Sequence, residues 1–456
     1  MQHTTSSTSR TDRRFGTHRR ARVVLALLAA LASVVLAACG GDDSGGAGGT
    51  SSGAGTAGSV NSAQAKQFRE LLGLTDKDLA NLKGKSFKVG SILPLSGGGA
   101  NFAVDEGNGV KLAVDQMRNY LGMDVTYTAK DHKSGDPQAG AAAARQLGID
   151  GYGAVVNSYV GVFGSTLKSL DQYKMLSFDP GGGTNTLKGK PYFWGFRSNS
   201  PNDAFPALAY VKEKRPEAKR VALVVWDAGA AFLDPINGLL KKQLAANGMT
   251  YAGTVPAKIG ATDYSAVLSK VESMNPDVVW LAVWGADPGY FMKQYVGAGL
   301  DAQVIGSEYT PTGAKIAGSA YDDYWFAADF FPVDNPPNPL SKFFLKEYQR
   351  KFGELPGTFY QPNYYEATLA FVQLAARVAA KGGDINSGEQ LNQALEADPT
   401  FKSVYGGDDT TVGTIKLDPK THDPIVRPVG LFETKPEIKQ LAQWNIDGAD
   451  FKTVAP

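Results

Sequence analysis

The chain has 456 residues, a formal net charge of +1, 43% hydrophobic residues and 20% charged residues. This is too long for one ordinary domain and too apolar for a disordered protein, so we expect two globular units with flanking segments. Near-zero net charge argues against a nucleic-acid partner, and the single cysteine excludes an internal disulfide framework and a multi-cysteine zinc site.

The N-terminal segment has the composition of an export signal. Several arginines precede residues 23–38, an uncharged apolar stretch shorter than the ~20 residues that a membrane-spanning helix needs. The stretch ends Leu36-Ala37-Ala38-Cys39, which resembles the lipobox of bacterial lipoproteins. This resemblance implies cleavage before Cys39 and lipidation of its thiol. Residues 1–38 are therefore predicted to be a lipoprotein signal peptide; the alternative is an uncleaved signal anchor.

Two segments separate the signal from the first predicted strand. Residues 39–62 are rich in Gly, Ser, Ala and Thr, a composition that cannot form a core and predicts a flexible linker. Residues 63–85 contain leucines at helical spacing and predict an N-terminal helical extension. We expect the folded part to be exported and held at the outer face of the cell membrane by lipidated Cys39.

The rest of the chain alternates between apolar strands and amphipathic helices, a pattern typical of parallel sheets with helices on both faces. Strands are predicted in two series, at 87–93, 123–128, 152–156 and 174–178, and then at 221–226, 250–255, 278–283 and 303–305. This predicts an α/β fold of two doubly wound lobes. In such sheets a ligand lies beyond the carboxyl ends of the strands, so two facing lobes form a ligand cleft.

Helices predicted at 339–352 and 360–381 and strands at 413–417 and 429–433 extend the chain beyond the second series. We expect the chain to return to the first lobe and to end in the second. The first lobe then comprises residues 86–202 and 335–425, and the second comprises residues 203–334 and 426–456. Hinges near residues 199–205 and 330–337 allow the lobes to close.

Short motifs occur in this framework in a recognisable order. They include Val89-Gly90-Ser91-Ile92-Leu93-Pro94, then Gly181-Gly182-Gly183-Thr184-Asn185, and finally Ile305-Gly306-Ser307-Glu308. The ordered set, over roughly residues 86–433, resembles the type I periplasmic binding proteins, in their branched-chain amino-acid branch of ABC-importer receptors. In that family, first-lobe amides and hydroxyls hold the ligand's carboxylate, and an acid of the second lobe receives its ammonium group.

The resemblance implies a ligand site made from both lobes. Glu308 stands at the acid position, while Gly183 and Thr184 stand where amide and hydroxyl donors bind an anion. The complete set of candidate ligand-binding residues is Phe102, Ser158, Tyr159, Gly161, Gly183, Thr184, Phe232, Trp284, Gly285 and Glu308. No catalytic residue, metal ligand or cofactor is predicted.

Three departures from the family pattern leave the ligand open. The expected carboxylate-binding serine after the third strand falls on Val160 or Gly161, and Asp179 puts a carboxylate near the anion site. In the second lobe, Trp284-Gly285 replaces a tyrosine pair.

The function predicted from these patterns is capture of a small polar ligand, an amino acid or a related compound, by a monomer that delivers it to ABC permease and ATPase subunits. The alternative is a ligand sensor of the same fold that signals to a membrane partner. An enzyme is disfavoured because phosphate-loop and nucleophile-elbow motifs are missing from the sequence. The turn-like contexts of His132 and His422 predict surface positions for both histidines.

Overall fold

The computed structural model describes residues 62–158, 160–181, 189–197, 200–329, 331–435, 438–447 and 452–453. Residues 1–61, with the predicted signal peptide, Cys39 and the predicted linker up to its last residue Ser62, lie outside the described residues, as do Tyr159, Gly183 and Thr184. The side chain of Phe232 and the surroundings of Gly161 are also outside what is described.

Two short helices open the described chain, α1 (Ser62–Leu71) and α2 (Asp76–Leu82). The second begins with a capping box, in which Thr75 accepts from the Asp78 amide and Asp78 accepts from the Thr75 amide. In the first, the buried Phe68 stacks on Phe343 with ring centroids 5.7 Å apart. The pair of helices thus covers part of the core formed by later segments.

The first sheet contains five parallel strands in the order β2-β1-β3-β4-β5. They are β1 (Ser86–Leu93), β2 (Asp124–Asp131), β3 (Ala154–Asn157), β4 (Leu176–Asp179) and β5 (Phe193–Gly195). The helices between them are α3 (Ala100–Leu121), α4 (Pro137–Ile149) and α5 (Val160–Tyr173). Strands β3 and β4 are buried along their whole length, as expected of parallel strands covered on both faces.

After α6 (Ser200–Lys214) the chain builds a second parallel arrangement. Its strands are β6 (Arg220–Trp226), β7 (Thr250–Ala257), β8 (Val278–Ala282), β9 (Gln303–Gly306) and β10 (Tyr324–Asp329). The helices are α7 (Ala230–Ala246), α8 (Ser265–Met274), α9 (Asp287–Gly297) and α10 (Pro311–Ala317), followed by a 3-10 turn at Gly318–Tyr321.

The chain then returns to the first sheet through α11 (Pro339–Phe352), α12 (Tyr360–Ala380), α13 (Gly388–Ala397) and the hairpin of β11 (Thr400–Gly407) and β12 (Val412–Lys416). Helix α12 is buried over most of its length and packs closely against α3. At Gly109 a Cβ atom would lie 2.4 Å from the Gln361 carbonyl oxygen, so glycine permits the two helices to approach.

Finally, β13 (Arg427–Glu433), β14 (Lys439–Asp447) and β15 (Lys452–Thr453) complete the second sheet. Its strand order is β15-β14-β13-β10-β9-β8-β6-β7, and β13 runs antiparallel to β10. The prediction of an α/β fold with two parallel sheets is confirmed, and the antiparallel edge of the second sheet is a feature that the strand pattern did not show. Within the described ranges, no helix is long and apolar enough to cross a lipid bilayer.

Candidate functional site

Glu308 lies just beyond β9 and precedes α10, at the carboxyl end of the second sheet. Its side chain is fully buried, and Oε1 accepts a hydrogen bond from the Gly285 amide. Oε2 accepts a hydrogen bond from the Tyr360 hydroxyl at 2.9 Å. Because Tyr360 belongs to α12, which packs on a helix of the first sheet, this carboxyl group joins the two halves of the molecule.

Phe102 completes this junction from the first sheet's side. Its ring lies edge-on to Tyr360, with centroids 5.3 Å apart and an interplanar angle of 74°. Gly285 has a φ of +74°, and a Cβ atom there would lie 2.9 Å from the Phe102 ring. We call Phe102, Gly285, Glu308 and Tyr360 the cleft cluster. The structure therefore brings together three sequence-predicted residues and adds Tyr360, which the sequence reasoning missed.

The protonation of Glu308 depends on opposing effects. Burial raises its pKa to about 7, while hydrogen bonds from Gly285 and Tyr360 and the positive charge of Arg197 act in the opposite direction. The carboxyl group is thus poised between neutral and ionised at physiological pH. A cation arriving beside it would favour the ionised form.

Trp284 and Trp226 form a tryptophan pair beside the cleft cluster. The partly exposed Trp284 ring meets Trp226 edge-on, at a centroid distance of 5.0 Å. The Trp226 indole nitrogen donates to Asp287 Oδ2 at 2.7 Å, which fixes its orientation. The structure therefore places Trp284 at a strand end, next to Gly285, with its ring supported from one side.

Ser158 marks the corresponding strand end of the first sheet, immediately after β3. It is fully buried, and its Oγ lies 2.7 Å from Oε1 of Glu106. Glu106 follows Phe102 by one helical turn on α3, so the two side chains point to the same side of the helix. Sequence reasoning missed Glu106, although an acid on the apolar face of a predicted helix was a usable signal.

Asp179 ends β4 and is fully buried. Its Oδ1 accepts a hydrogen bond from the Gly181 amide at 3.0 Å, which fixes the position of Gly181. The Tyr364 hydroxyl lies against Gly181, where an added Cβ would be 2.7 Å away. An acid and a tyrosine therefore contact Gly181, the first residue of the glycine-rich motif.

Three buried charged side chains lie where the chain passes between the two sheets, and we call Arg197, Asp329 and Arg427 the hinge charge cluster. Arg197 follows β5, Asp329 ends β10 and Arg427 begins β13. Asp329 forms ion pairs with both arginines, each at 3.4 Å, and Arg427 also pairs with Glu366 of α12. Each crossing thus contributes one charged side chain, which no sequence pattern had indicated.

The expectation that the two histidines lie at the surface is wrong. His132 is fully buried, and His422 is 7% exposed and stacks on Trp194 with centroids 3.8 Å apart. Polar neighbours in sequence indicated turns correctly, but the turns themselves pack inward. Burial lowers the pKa of His132 to about 4, so it is neutral at physiological pH. Across the described segments, no group of three or more potential metal-ligating side chains occurs.

The arrangement of two α/β sheets around a shared junction can now be compared with known proteins. Residues 86–436 match the profile of the periplasmic binding protein family. The chain belongs to this family. The match spans the first sheet and the second sheet as far as β13, and together with the Leu/Ile/Val-binding relatives it confirms the resemblance to the branched-chain amino-acid receptors.

Curated relatives in this family agree. The chain is 25% identical to Leu/Ile/Val-binding protein homolog 1 of Brucella melitensis over 333 residues, which cover 70% of this chain and 84% of the relative. It is 28% identical to the Leu/Ile/Val-binding protein BraC3 of Rhizobium johnstonii over 242 residues, or 50% of this chain and 65% of that one.

Solved structures show the same fold at lower identity. A leucine-binding protein from Thermotoga maritima has a TM-score of 0.68 at 19% identity, covering 78% of this chain and 98% of that one. A solute-binding protein from R. palustris, solved in complex with benzoate, has a TM-score of 0.66 at 20% identity, with coverages of 78% and 96%. The periplasmic binding protein described here is therefore an exported solute-binding protein and not an enzyme.

Proposed function

We propose that this protein is an extracytoplasmic solute-binding lipoprotein that captures a small polar ligand, an amino acid or a related compound, and delivers it to an ABC importer. Residues 86–202 and 335–425 act as one lobe, residues 203–334 and 426–456 act as the other, and closure of the cleft traps the ligand. The relatives named Leu/Ile/Val-binding proteins support the ligand class.

The observation that carries this proposal is the buried carboxyl group of Glu308. It lies at a strand end of the second sheet and hydrogen bonds to Tyr360 on the first sheet's side. A buried carboxylate is a strong partner for a ligand ammonium group, since charge-assisted hydrogen bonds are about twice as strong as neutral ones. The carboxylate of the same ligand is then bound by Ser158 and by Gly183 and Thr184, the residues that the family resemblance assigns to the anion.

Aromatic acids are the second candidate ligands. Tyr360 bonds to Glu308, Phe102 packs edge-on against Tyr360, and Trp284 directly precedes Gly285 in the chain. Aromatic side chains in this part of the site suit a planar apolar ligand. A structural neighbour solved with benzoate supports this candidate. An aromatic acid lacks an ammonium group, so its binding would not require an ionised Glu308.

The membrane anchor is supported by the sequence alone. Cys39 is the only cysteine and stands directly after the small residues that end the apolar segment. Two or more acyl chains at this position would hold the protein stably at the membrane, whereas a single chain binds only marginally. The alternative of a sensor that signals to a membrane partner uses the same anchor and the same cleft.

The test is a ligand screen on the purified protein with a matched pair of variants. Thermal shift and calorimetric titration with L-leucine, L-isoleucine, benzoate and 4-hydroxybenzoate would identify the ligand class. Glu308→Gln should weaken amino-acid binding strongly, and Glu272→Gln, at an exposed position of α8, should leave it unchanged. A protein that binds neither amino acids nor aromatic acids would contradict the proposal. Reconstitution with the importer subunits would separate delivery from sensing.

A further inference from the structure

Glu106 is a buried carboxyl group below the cleft cluster with no cation beside it among its described contacts. Its side chain is 2% exposed, and Oε1 lies 2.7 Å from Ser158 Oγ. Oε2 has no hydrogen-bond partner among the described residues. The Tyr364 hydroxyl lies near Glu106 and donates to the Asn157 carbonyl oxygen at 3.3 Å. An ionised carboxylate held by so few donors is unfavourable in a buried site.

The groups that face Glu106 are acids and phenols. They are Asp105 on its own helix, Asp179 at the end of β4, Tyr127 on β2, and Tyr360 and Tyr364 on α12. Burial raises the pKa of Glu106 to about 8; the hydroxyls of Ser158 and Tyr364 oppose this rise, and the charges of Asp105 and Asp179 add to it. Glu106 is therefore mostly protonated at neutral pH.

We propose that Glu106 is a positioning residue, which as a neutral acid donates its O–H to Ser158 Oγ and turns the Ser158 hydroxyl toward the carboxylate of the ligand. A hydroxyl group has one hydrogen to donate and two lone pairs that accept. An ionised Glu106 would take the Ser158 hydrogen for itself and leave only lone pairs to face an anion. This inference rests on the proposed function, in which the anionic end of the ligand meets the first sheet.

The proton balance of binding follows from this arrangement. A ligand carboxylate beside Ser158 adds negative charge near Glu106 and strengthens the hold on its proton. At a pH above about 8, the free protein has lost that proton and must take one up from solvent as the ligand binds. Because binding takes up one proton, the affinity falls by about tenfold for each pH unit above about 8.

The matched variant is Glu106→Gln, whose amide donates to Ser158 Oγ at every pH. The probes are L-leucine, L-isoleucine and benzoate, each compared with its primary amide by calorimetric titration from pH 7 to 9.5. We expect the variant to bind the carboxylate probes as wild type does at pH 7, within about threefold, and to lose much less affinity above pH 8. Ser158→Ala should weaken carboxylate binding by about tenfold at pH 7, because one hydrogen bond is lost, and by less above pH 8, where the hydroxyl of the wild type is held by ionised Glu106.

Infrared difference spectra of wild type and Glu106→Gln without ligand provide an independent measurement. We expect a protonated carboxyl C=O band at pH 7 that the variant lacks and that disappears above pH 8. The inference would be overturned if this band were absent at pH 7, or if the amides bound more tightly than the carboxylates. Loss of binding at pH 7 in a correctly folded Glu106→Gln would also overturn it. A wild type that binds none of the probes would contradict the proposed function itself, whereas the infrared result would still decide the protonation of Glu106.

Discussion

Arg197 and Asp329 lie on two different crossings between the sheets, and their side chains meet as a fully buried ion pair with Nε and Oδ1 3.4 Å apart. The Arg197 guanidinium also stacks over Phe359, 4.3 Å from the ring centroid, and donates to the Gly181 carbonyl oxygen at 3.0 Å. Arg197 thus contacts Asp329 on another crossing, Phe359 directly before the cleft-cluster tyrosine, and Gly181. The hinge charge cluster and the cleft cluster are therefore linked through Arg197 and the neighbouring residues Phe359 and Tyr360.

Asp329→Asn should destabilise the protein. The change removes the negative charge shared by Arg197 and Arg427, and removing one partner of a buried pair costs about 3–5 kcal/mol. Urea unfolding at neutral pH would measure the loss. The control is Asp322→Asn, whose half-exposed pair with Lys435 at 3.7 Å should contribute less than about 1 kcal/mol. Equal effects of the two changes would show that the cluster adds no special stability.

Glu308→Gln should weaken binding of an amino-acid ligand by roughly two to three decades, about 3–4 kcal/mol, because the ammonium group loses its charged partner. Because burial raises the pKa of Glu308 in the folded protein from its usual 4.5 to about 7, the stability of the wild type should fall as the pH rises from about 4.5 to 7, and the variant should lack this slope. Calorimetric titration and urea unfolding measure the two effects. Unchanged amino-acid affinity would place the cation elsewhere.

Gly285→Ala should prevent the lobes from meeting around the cleft cluster. The added Cβ would approach the Phe102 ring to 2.9 Å, and the φ of +74° is unfavourable for alanine by about 1–2 kcal/mol. Gly229→Ala is the matched control, because its φ is +85° but a Cβ there meets nothing within 4 Å. We expect both variants to lose stability. In small-angle scattering, only Gly285→Ala should lack the compaction that the proposed lobe closure predicts on ligand binding. Normal compaction in Gly285→Ala would refute the steric argument.

His132 should make the protein less stable in acid. Its folded pKa of about 4 lies below the unfolded value of about 6.5, so below pH 6.5 the unfolded chain binds more protons. The contribution is complete above pH 6.5 and decreases by about 2–3 kcal/mol as the pH falls to 4.5. His132→Asn should flatten this part of the stability curve in urea unfolding. An identical pH dependence in the variant would assign the acid sensitivity to other groups.

Cys39→Ala should yield a precursor without lipid, because no other thiol exists to form the thioether. Mass spectrometry of the membrane-associated wild type should show a lipidated Cys39 at the mature N-terminus. Ser52→Ala, in the predicted linker, serves as the control and should be processed normally. An unmodified Cys39 inside a retained N-terminus would contradict the prediction that Cys39 carries the lipid anchor.

The sequence was sufficient for features that depend on neighbours along the chain. Alternating apolar segments indicated the strands, and the motif around Glu308 indicated its position at a strand end. Tyr360 and Arg197 were missed because their roles arise only when segments distant in sequence meet. Glu106 was missed for a related reason: helical spacing marks an inward face but does not distinguish a functional acid from a structural one.

The position of β13 inside the second sheet has a consequence for how the chain matures. Strand β10 pairs on one side with β9 and on the other with β13, which begins about a hundred residues later, at Arg427. Until β13 is synthesised and translocated, one edge of β10 has no partner strand, and apolar residues that the complete fold buries lie beside that edge. Such a state is prone to aggregation. The second sheet is therefore completed last, so a nascent chain that stalls after α12 is expected to depend on chaperones.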